Sequence, residues 1–154
     1  MKILVTGNLG FVGTETQKLL EKNGHEVIGY DLMEGFDIRD KDQLEFVIAY
    51  QRPDRILHLA AIARFADADK DPLLAAETNV VGTKNVAEVA EEYHIPVVYA
   101  STGSVYMPIV DLSGAIKEDW PAKGNSVYGC TKAMGEKYIQ KVNPHIILRF
   151  PPGS

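Results

Sequence analysis

The chain has 154 residues, 45% hydrophobic and 24% charged, enough for one domain with a sound core and no second of ordinary size. A formal net charge of −5, with no basic stripe to collect phosphates, excludes general nucleic-acid binding. No apolar run reaches membrane-spanning length, and Met1 runs straight into a core strand, so neither a membrane span nor a signal peptide is expected.

The first element is an apolar, β-branched run, Ile3-Leu4-Val5, that ends at Thr6-Gly7. Glycines recur at Gly7, Gly10 and Gly13, a G-x-x-G-x-x-G variant of the nucleotide-binding fingerprint, and a helix-compatible stretch follows at once. A strand turning sharply into a helix leaves the first backbone N–H groups unpaired, and the helix dipole adds positive potential there, so a phosphate fits. The helix is expected over 11–23, amphipathic through Val12, Leu19 and Leu20 and stopped by Gly24. A second strand over 26–30 ends in Asp31, about 20 residues beyond the glycine turn, where a carboxylate accepts hydrogen bonds from an adenosine ribose. Such a carboxylate repels a 2′-phosphate, and no Arg or Lys follows before Arg39, so NAD is expected rather than NADP.

After the short segment Phe36-Asp37-Ile38, Asp40 reads as the N-cap of a helix over 41–50 with Leu44, Val47 and Ile48 on one face. Arg52-Pro53-Asp54 is a turn before a strand over 55–59, and Ala60-Ala61-Ile62-Ala63 opens a loop of small side chains. A long helix is expected over 72–93, with Val86, Val89, Ala90 and Tyr93 on one face. Pro96 precedes a strand over 97–101, a long loop runs from 107 to 125, and a helix over 127–141 stops at Asn143-Pro144. The last strand spans 146–150. Strands alternating with helices, several apolar on both faces, define an α/β fold. It is a doubly wound parallel sheet of Rossmann type, helices on both faces, whose C-terminal strand ends gather the ligand. One domain over 1–154 is expected.

Tyr128 and Lys132 stand at i and i+4, on one helical face with Gly135 and Ile139. An adjacent ammonium stabilises a phenolate and is expected to lower the tyrosine pKa, making it a competent acid/base. The strand ending at Ser101 leads into Thr102-Gly103-Ser104-Val105-Tyr106, which places hydroxyls at a strand C-terminus, in the crevice where this fold does its chemistry. The histidines show no metal-ligand spacing, and no metal is expected. Cys130 is the one cysteine, read as a partly buried free thiol suited to a reducing cytoplasm.

These motifs, in this order and spacing, resemble the extended short-chain dehydrogenase/reductase family, in particular its NAD-dependent epimerase/dehydratase branch acting on nucleotide sugars. The resemblance also rests on Asp37-Ile38-Arg39-Asp40, His58-Leu59-Ala60-Ala61 and Thr78-Asn79-Val80-Val81-Gly82-Thr83. It implies that Gly7, Gly10 and Gly13, with Phe11 and Val12, cradle the pyrophosphate while Asp31 holds the adenosine ribose. Asp37 and Ile38 resemble the pair that contacts adenine, and Leu59, Ala60, Ala61 and Ala63 the residues lining the cofactor channel. Tyr128 then acts as the acid/base, Lys132 binds the nicotinamide ribose, and Thr102 holds the substrate oxygen, with Ser101 and Ser104 as competing assignments. Asn79 is either a cofactor-site residue or a backbone-bonding amide. His58 reads as a packed core histidine rather than an acid/base, and Trp120 and Pro121 as packing or a lid. The resemblance implies a nucleotide-sugar substrate and a homodimer through the helices over 72–93 and 127–141. It also implies a C-terminal substrate domain that this chain essentially lacks, which leaves a non-catalytic NAD-binding module, a sensor or partner subunit, as the alternative function.

Overall fold

A computed structural model describes residues 1–106, 118 and 122–151. Five parallel strands form one sheet in the order β2-β1-β3-β4-β5: β1 Lys2–Thr6, β2 Glu26–Tyr30, β3 Arg55–His58, β4 Val97–Thr102 and β5 His145–Phe150. The chain steps from β1 to β2 on one side, then returns to β3 on the other, so the strand order reverses between β1 and β3. Right-handed crossovers then put α1 (Phe11–Lys22) alone on one face. The opposite face carries α2 (Lys41–Gln51), α5 (Gly82–Tyr93) and α6 (Val127–Ile139), and it holds the main core. Leu4, Leu44, Ile48, Ile56, Val86, Val89, Tyr99 and Ile139 pack there, each at most 1% exposed.

Local chemistry fixes the helix starts. Asp40 caps α2 by accepting the Gln43 N–H at 3.0 Å, and Ser126 caps α6 by accepting the Gly129 N–H at 3.0 Å. The expected long helix is one run made of α4 (Pro72–Ala76), a π-helical segment (Glu77–Val81) and α5. The loop after β3 contains a short helix, α3 (Phe65–Lys70), that the sequence reading lacked. Asp31 caps a 3-10 turn over Leu32–Glu34, and a second such turn, Gly103–Tyr106, follows β4.

The apolar face assigned to α1 needs correction. Val12 and Leu19 are 49% and 61% exposed, and Gly13 alone in that helix is buried. The covered side of the helix runs instead through Gly13, Thr16, Gln17 and Leu20, of which Gly13 is buried and the others, Leu20 included, are half-buried. On β5, Ile146, Leu148 and Phe150 are likewise exposed on the face that α1 occupies. No described helix is long and apolar enough to cross a membrane. Trp120 and Pro121 lie outside the described residues, as does most of the 107–125 loop.

Candidate active site

The glycine turn sits at the C-terminal ends of β1 and β3, where the strand order reverses. Gly7 has φ +70°, and a Cβ there would stand 2.9 Å from the N and Cα of Ala60. The turn therefore needs both the left-handed backbone and the missing side chain. The first helical bond of α1 runs from Thr14 N–H to Gly10 C=O, leaving the preceding N–H groups without helical acceptors. No side chain caps this end and no acidic residue occupies its first turn, so the positive end of the helix is open to an anion. Asp31 is fixed beside it, its Oδ2 accepting Leu9 N–H at 3.0 Å and its Oδ1 accepting Met33 N–H at 2.9 Å. Each oxygen keeps a free acceptor position for a diol.

Two adjoining clefts share Val12, Leu59, Ala61 and Ala63 and so form one crevice. The first, about 350 Å³, is lined by Gly7, Gly10, Phe11, Val12, Gly13, Asp31, Asp37, Ile38, Leu59, Ala60, Ala61 and Ala63. The second, about 450 Å³, is lined by Ser101, Thr102, Ser104, Tyr128 and Lys132. The structure thus brings both expected residue sets to one crevice. A diphosphate-linked dinucleotide fits the donor set at the glycine corner, because uncapped N–H groups and a fixed carboxylate meet there.

Asn79 lines neither cleft. Its Oδ1 accepts Ile62 N–H at 2.8 Å, and its Nδ2 donates to Ile62 C=O at 3.1 Å and to Thr131 Oγ1 at 3.0 Å. The amide ties the π-helical segment to the loop after β3 and to α6, one residue before Lys132. Residues that sequence reasoning missed include Phe65, edge-on to Tyr128 with ring centroids 5.2 Å apart, and Arg39 and Thr78 in the first cleft.

The electrostatics correct one expectation. Burial pushes the Tyr128 phenol above its ordinary value, and a hydrogen bond with Thr102 offsets only part of that rise. Lys132 does not depress it. With 3% of its surface exposed and its Nζ 4.4 Å from the centroid of the Tyr99 ring, Lys132 is itself pulled down by burial to about 7, against an opposing pull from Glu136. An ammonium that titrates near neutrality cannot hold a neighbouring phenolate across the neutral range. Thr102 Oγ1 accepts the Ser104 N–H at 3.2 Å, which fixes its acceptor side and leaves its proton for another oxygen. The Ser101 hydroxyl instead bonds Glu136 Oε2 at 2.5 Å, and Ser104 Oγ is buried without a partner among the described residues.

His58 is fully buried. Thr6 Oγ1 accepts the N–H groups of Leu59 and Ala60 at 3.0 and 3.1 Å, so its own proton goes to His58 Nδ1 at 2.7 Å. The ring therefore carries its proton on Nε2 and donates to Thr83 Oγ1 at 2.8 Å. Burial, aided by the nearby Lys132, lowers its pKa from 6.5 to about 3. As pH falls from 6.5 toward 3, the unfolded chain binds a proton here that the folded chain refuses. Stability is expected to fall over that window, by up to about 1.4 kcal/mol per pH unit. Lys132 acts with the same sign at higher pH, stability falling from pH 10.5 to about 7. Urea midpoints at pH 6.5 and 5 check the histidine: they should drop in the wild type and level out in His58→Gln, and a flat wild-type profile would overturn the assignment. Among the described residues, no cluster of His, Cys, Asp or Glu could hold a metal ion.

A parallel sheet with a glycine corner at its switch point and a Tyr-Lys-Thr crevice beside it defines a dinucleotide-type α/β domain. The chain belongs to the RmlD substrate-binding domain family, whose model matches residues 1–152, within the epimerase/dehydratase-type short-chain dehydrogenases/reductases. It is 30% identical to a UDP-glucose 4-epimerase of Neisseria meningitidis over 97% of this chain and 52% of that protein. The crystal structure of Thermus thermophilus UDP-glucose 4-epimerase complexed with NAD superposes with a TM-score of 0.87 at 30% identity, covering 97% of this chain and 54% of that one. A dTDP-4-dehydrorhamnose reductase of Clostridium acetobutylicum also gives 0.87 at 30% identity, covering 97% of this chain and 52% of its own. The chain spans about half the length of the relatives it matches.

Proposed function

We propose that this chain is the cofactor-binding and acid/base part of an NAD-dependent oxidoreductase of the nucleotide-sugar epimerase/dehydratase type. The observation that carries the reading is the single crevice joining the uncapped glycine corner to Tyr128, Thr102 and Lys132. The open N–H groups of α1 bind the diphosphate, Asp31 accepts the adenosine ribose hydroxyls, and Lys132 holds the second ribose. When bound, NAD supplies a hydride acceptor and donor. Thr102 orients the substrate hydroxyl, and Tyr128 Oη takes its proton and later returns it. Burial raises the phenol's pKa in the free protein, so Tyr128 must give up its own proton before it can take the substrate's. It becomes a base only once further positive charge enters the crevice. Relatives named as UDP-glucose 4-epimerases and a dTDP-4-dehydrorhamnose reductase support a nucleotide sugar as substrate.

Calorimetry with NAD, NADP and a panel of UDP-, GDP- and dTDP-sugars tests this reading. NAD is expected to bind in preference to NADP, and at least one nucleotide sugar to bind the NAD complex. Cofactor binding with no sugar binding would remove the catalytic claim. Where turnover is found, Tyr128→Phe should lower it by about 10²–10⁴-fold with cofactor affinity nearly unchanged.

A further inference from the structure

Lys132 is an almost wholly buried cation, yet among the described residues its Nζ makes no hydrogen bond and no ion pair. The carboxylate one turn away, Glu136, gives its oxygens to Arg149 and to the Ser101 hydroxyl. A buried charge with no partner is strongly disfavoured. What Nζ does meet is the Tyr99 ring, whose centroid lies 4.4 Å away. An aromatic face carries the negative side of the ring quadrupole, and a cation shielded from water gains most from it.

The ring is fixed from several sides. Tyr99 is fully buried on β4 and stacks on His58, its neighbour in the β3–β4 register, with centroids 5.4 Å apart and planes 18° from parallel. His58 is held by Thr6 and Thr83 and stays neutral, so it supports the ring without competing as a second cation. Room for the phenol comes from α6, where a Cβ on Gly135 would stand 2.6 Å from Tyr99 Oη. Lys132 and Gly135 are three residues apart, so one face of α6 supplies both the ammonium over the ring and the gap beyond its edge. Thr83 stands near the Tyr99 hydroxyl, but no hydrogen bond of ordinary geometry holds it. Burial raises that phenol's pKa, so the ring is neutral and meets Lys132 with its face rather than as a phenolate.

We propose that the Tyr99 ring is the seat of Lys132: Tyr99 is a positioning residue whose face keeps the ammonium charged and aimed while leaving its N–H groups for the ligand. The proposal rests on the reading of Lys132 as the group that holds the second ribose, and it adds what holds Lys132 before a cofactor arrives. A carboxylate in the same place would take up those N–H donors. It would also set a negative charge beside the Tyr128 phenol and make its proton harder to remove. A ring face favours the positive charge and does neither.

Phenylalanine and its mono-, di- and trifluorinated forms, placed at position 99 of the intact chain, test this. Each fluorine drains the ring face while the shape barely changes. Glu136 and Tyr128 on α6 and His58 on β3, the other titratable groups beside Lys132, stay as they are. The Lys132 pKa, read at its ε-carbon by NMR, should be nearly unchanged in Tyr99→Phe and fall stepwise to roughly one unit lower with three fluorines. NADH affinity at pH 7, from fluorescence titration, should fall in parallel by roughly fivefold, as the charged fraction of a group titrating near neutrality shrinks. Urea midpoints should change little along the series. A Tyr99 that only packs would leave both the Lys132 pKa and the NADH affinity flat from phenylalanine to its trifluorinated form, which overturns the proposal. A falling pKa with constant NADH affinity supports the seat and removes Lys132 from the ribose. A wild type that binds no NADH overturns the dinucleotide reading, and the pKa series still decides the seat.

Discussion

Gly13→Ala is expected to abolish dinucleotide binding and to destabilise the chain by about 3 kcal/mol or more. A Cβ at this position would stand 2.1 Å from the carbonyl oxygen of Gly7 and 2.8 Å from the Cα and carbonyl carbon of Asn8. All three neighbours are backbone atoms of the turn, so no side-chain rotation relieves the overlap. Either α1 lifts from β1 or the turn reshapes, and both move the N–H groups that face the diphosphate. Helix propensity favours alanine over glycine by about 1 kcal/mol, too little to offset such an overlap. Gly10 gives the contrast, because a Cβ there meets only the Gly7 carbonyl oxygen, at 3.3 Å. Gly10→Ala should therefore keep most of the stability while still crowding the anion site. Urea denaturation together with NADH titration separates the two effects. A Gly13→Ala protein within 1 kcal/mol of the wild type and still binding NADH would refute the close-packed corner.

The strands and principal helices were legible because their signals are local. Buried parallel strands are short apolar runs between turn residues, and caps such as Asp40 and Ser126 act within three residues. What escaped was made by tertiary contact. Helix α3 has six residues, too few to be stable on propensity alone, and its sequence Phe-Ala-Asp-Ala-Asp-Lys carries no apolar period. The π-helical segment changes how side chains project without altering the composition that a periodicity count reads. The face of α1 was misjudged at Val12 and Leu19 because, apart from Leu20, its covered side consists of Gly13, Thr16 and Gln17, which a count of apolar spacing passes over.

The candidate site divides in the same way. Gly7, Gly10, Gly13 and Asp31 were readable because a turn and a strand end fix them at short spacing. The amide of Asn79 bonds partners 17 and 52 positions away, and nothing in its own neighbourhood tells which of its two readings applies. The effect of Lys132 on Tyr128 failed for a different reason. Helical spacing gives proximity, but the sign and size of a pKa shift follow from burial, which here disfavours the charge on both groups.

The burial of charge beneath the site leads to the second large effect. Glu136, one turn after Lys132 and 1% exposed, accepts Arg149 Nη2 at 2.7 Å and Nε at 3.1 Å, in addition to the Ser101 hydroxyl. Arg149 in turn donates to the Tyr106 hydroxyl and to the Glu118 carbonyl, the latter at 2.8 Å. This cluster joins β4, α6 and β5 on the side of the sheet that carries Lys132. Glu136→Gln keeps the shape but removes the charge, leaving a mostly buried guanidinium without its counter-ion. Breaking such a pair from one side costs about 3–5 kcal/mol. The Arg149 side chain retains 18% exposure, so the lower end, about 3 kcal/mol, is expected. The double variant Glu136→Gln/Arg149→Met removes both charges and should recover much of that loss, because two absent charges need no solvation. Loss of the carboxylate should also drive the Lys132 pKa further down, since Glu136 is the group that opposes its burial. Urea midpoints of the two variants, with the Lys132 ε-carbon followed by NMR through a pH titration, check both consequences. A single variant as stable as the wild type, with Lys132 titrating unchanged, would show that Glu136 neither holds β5 to α6 nor supports the charge in the crevice.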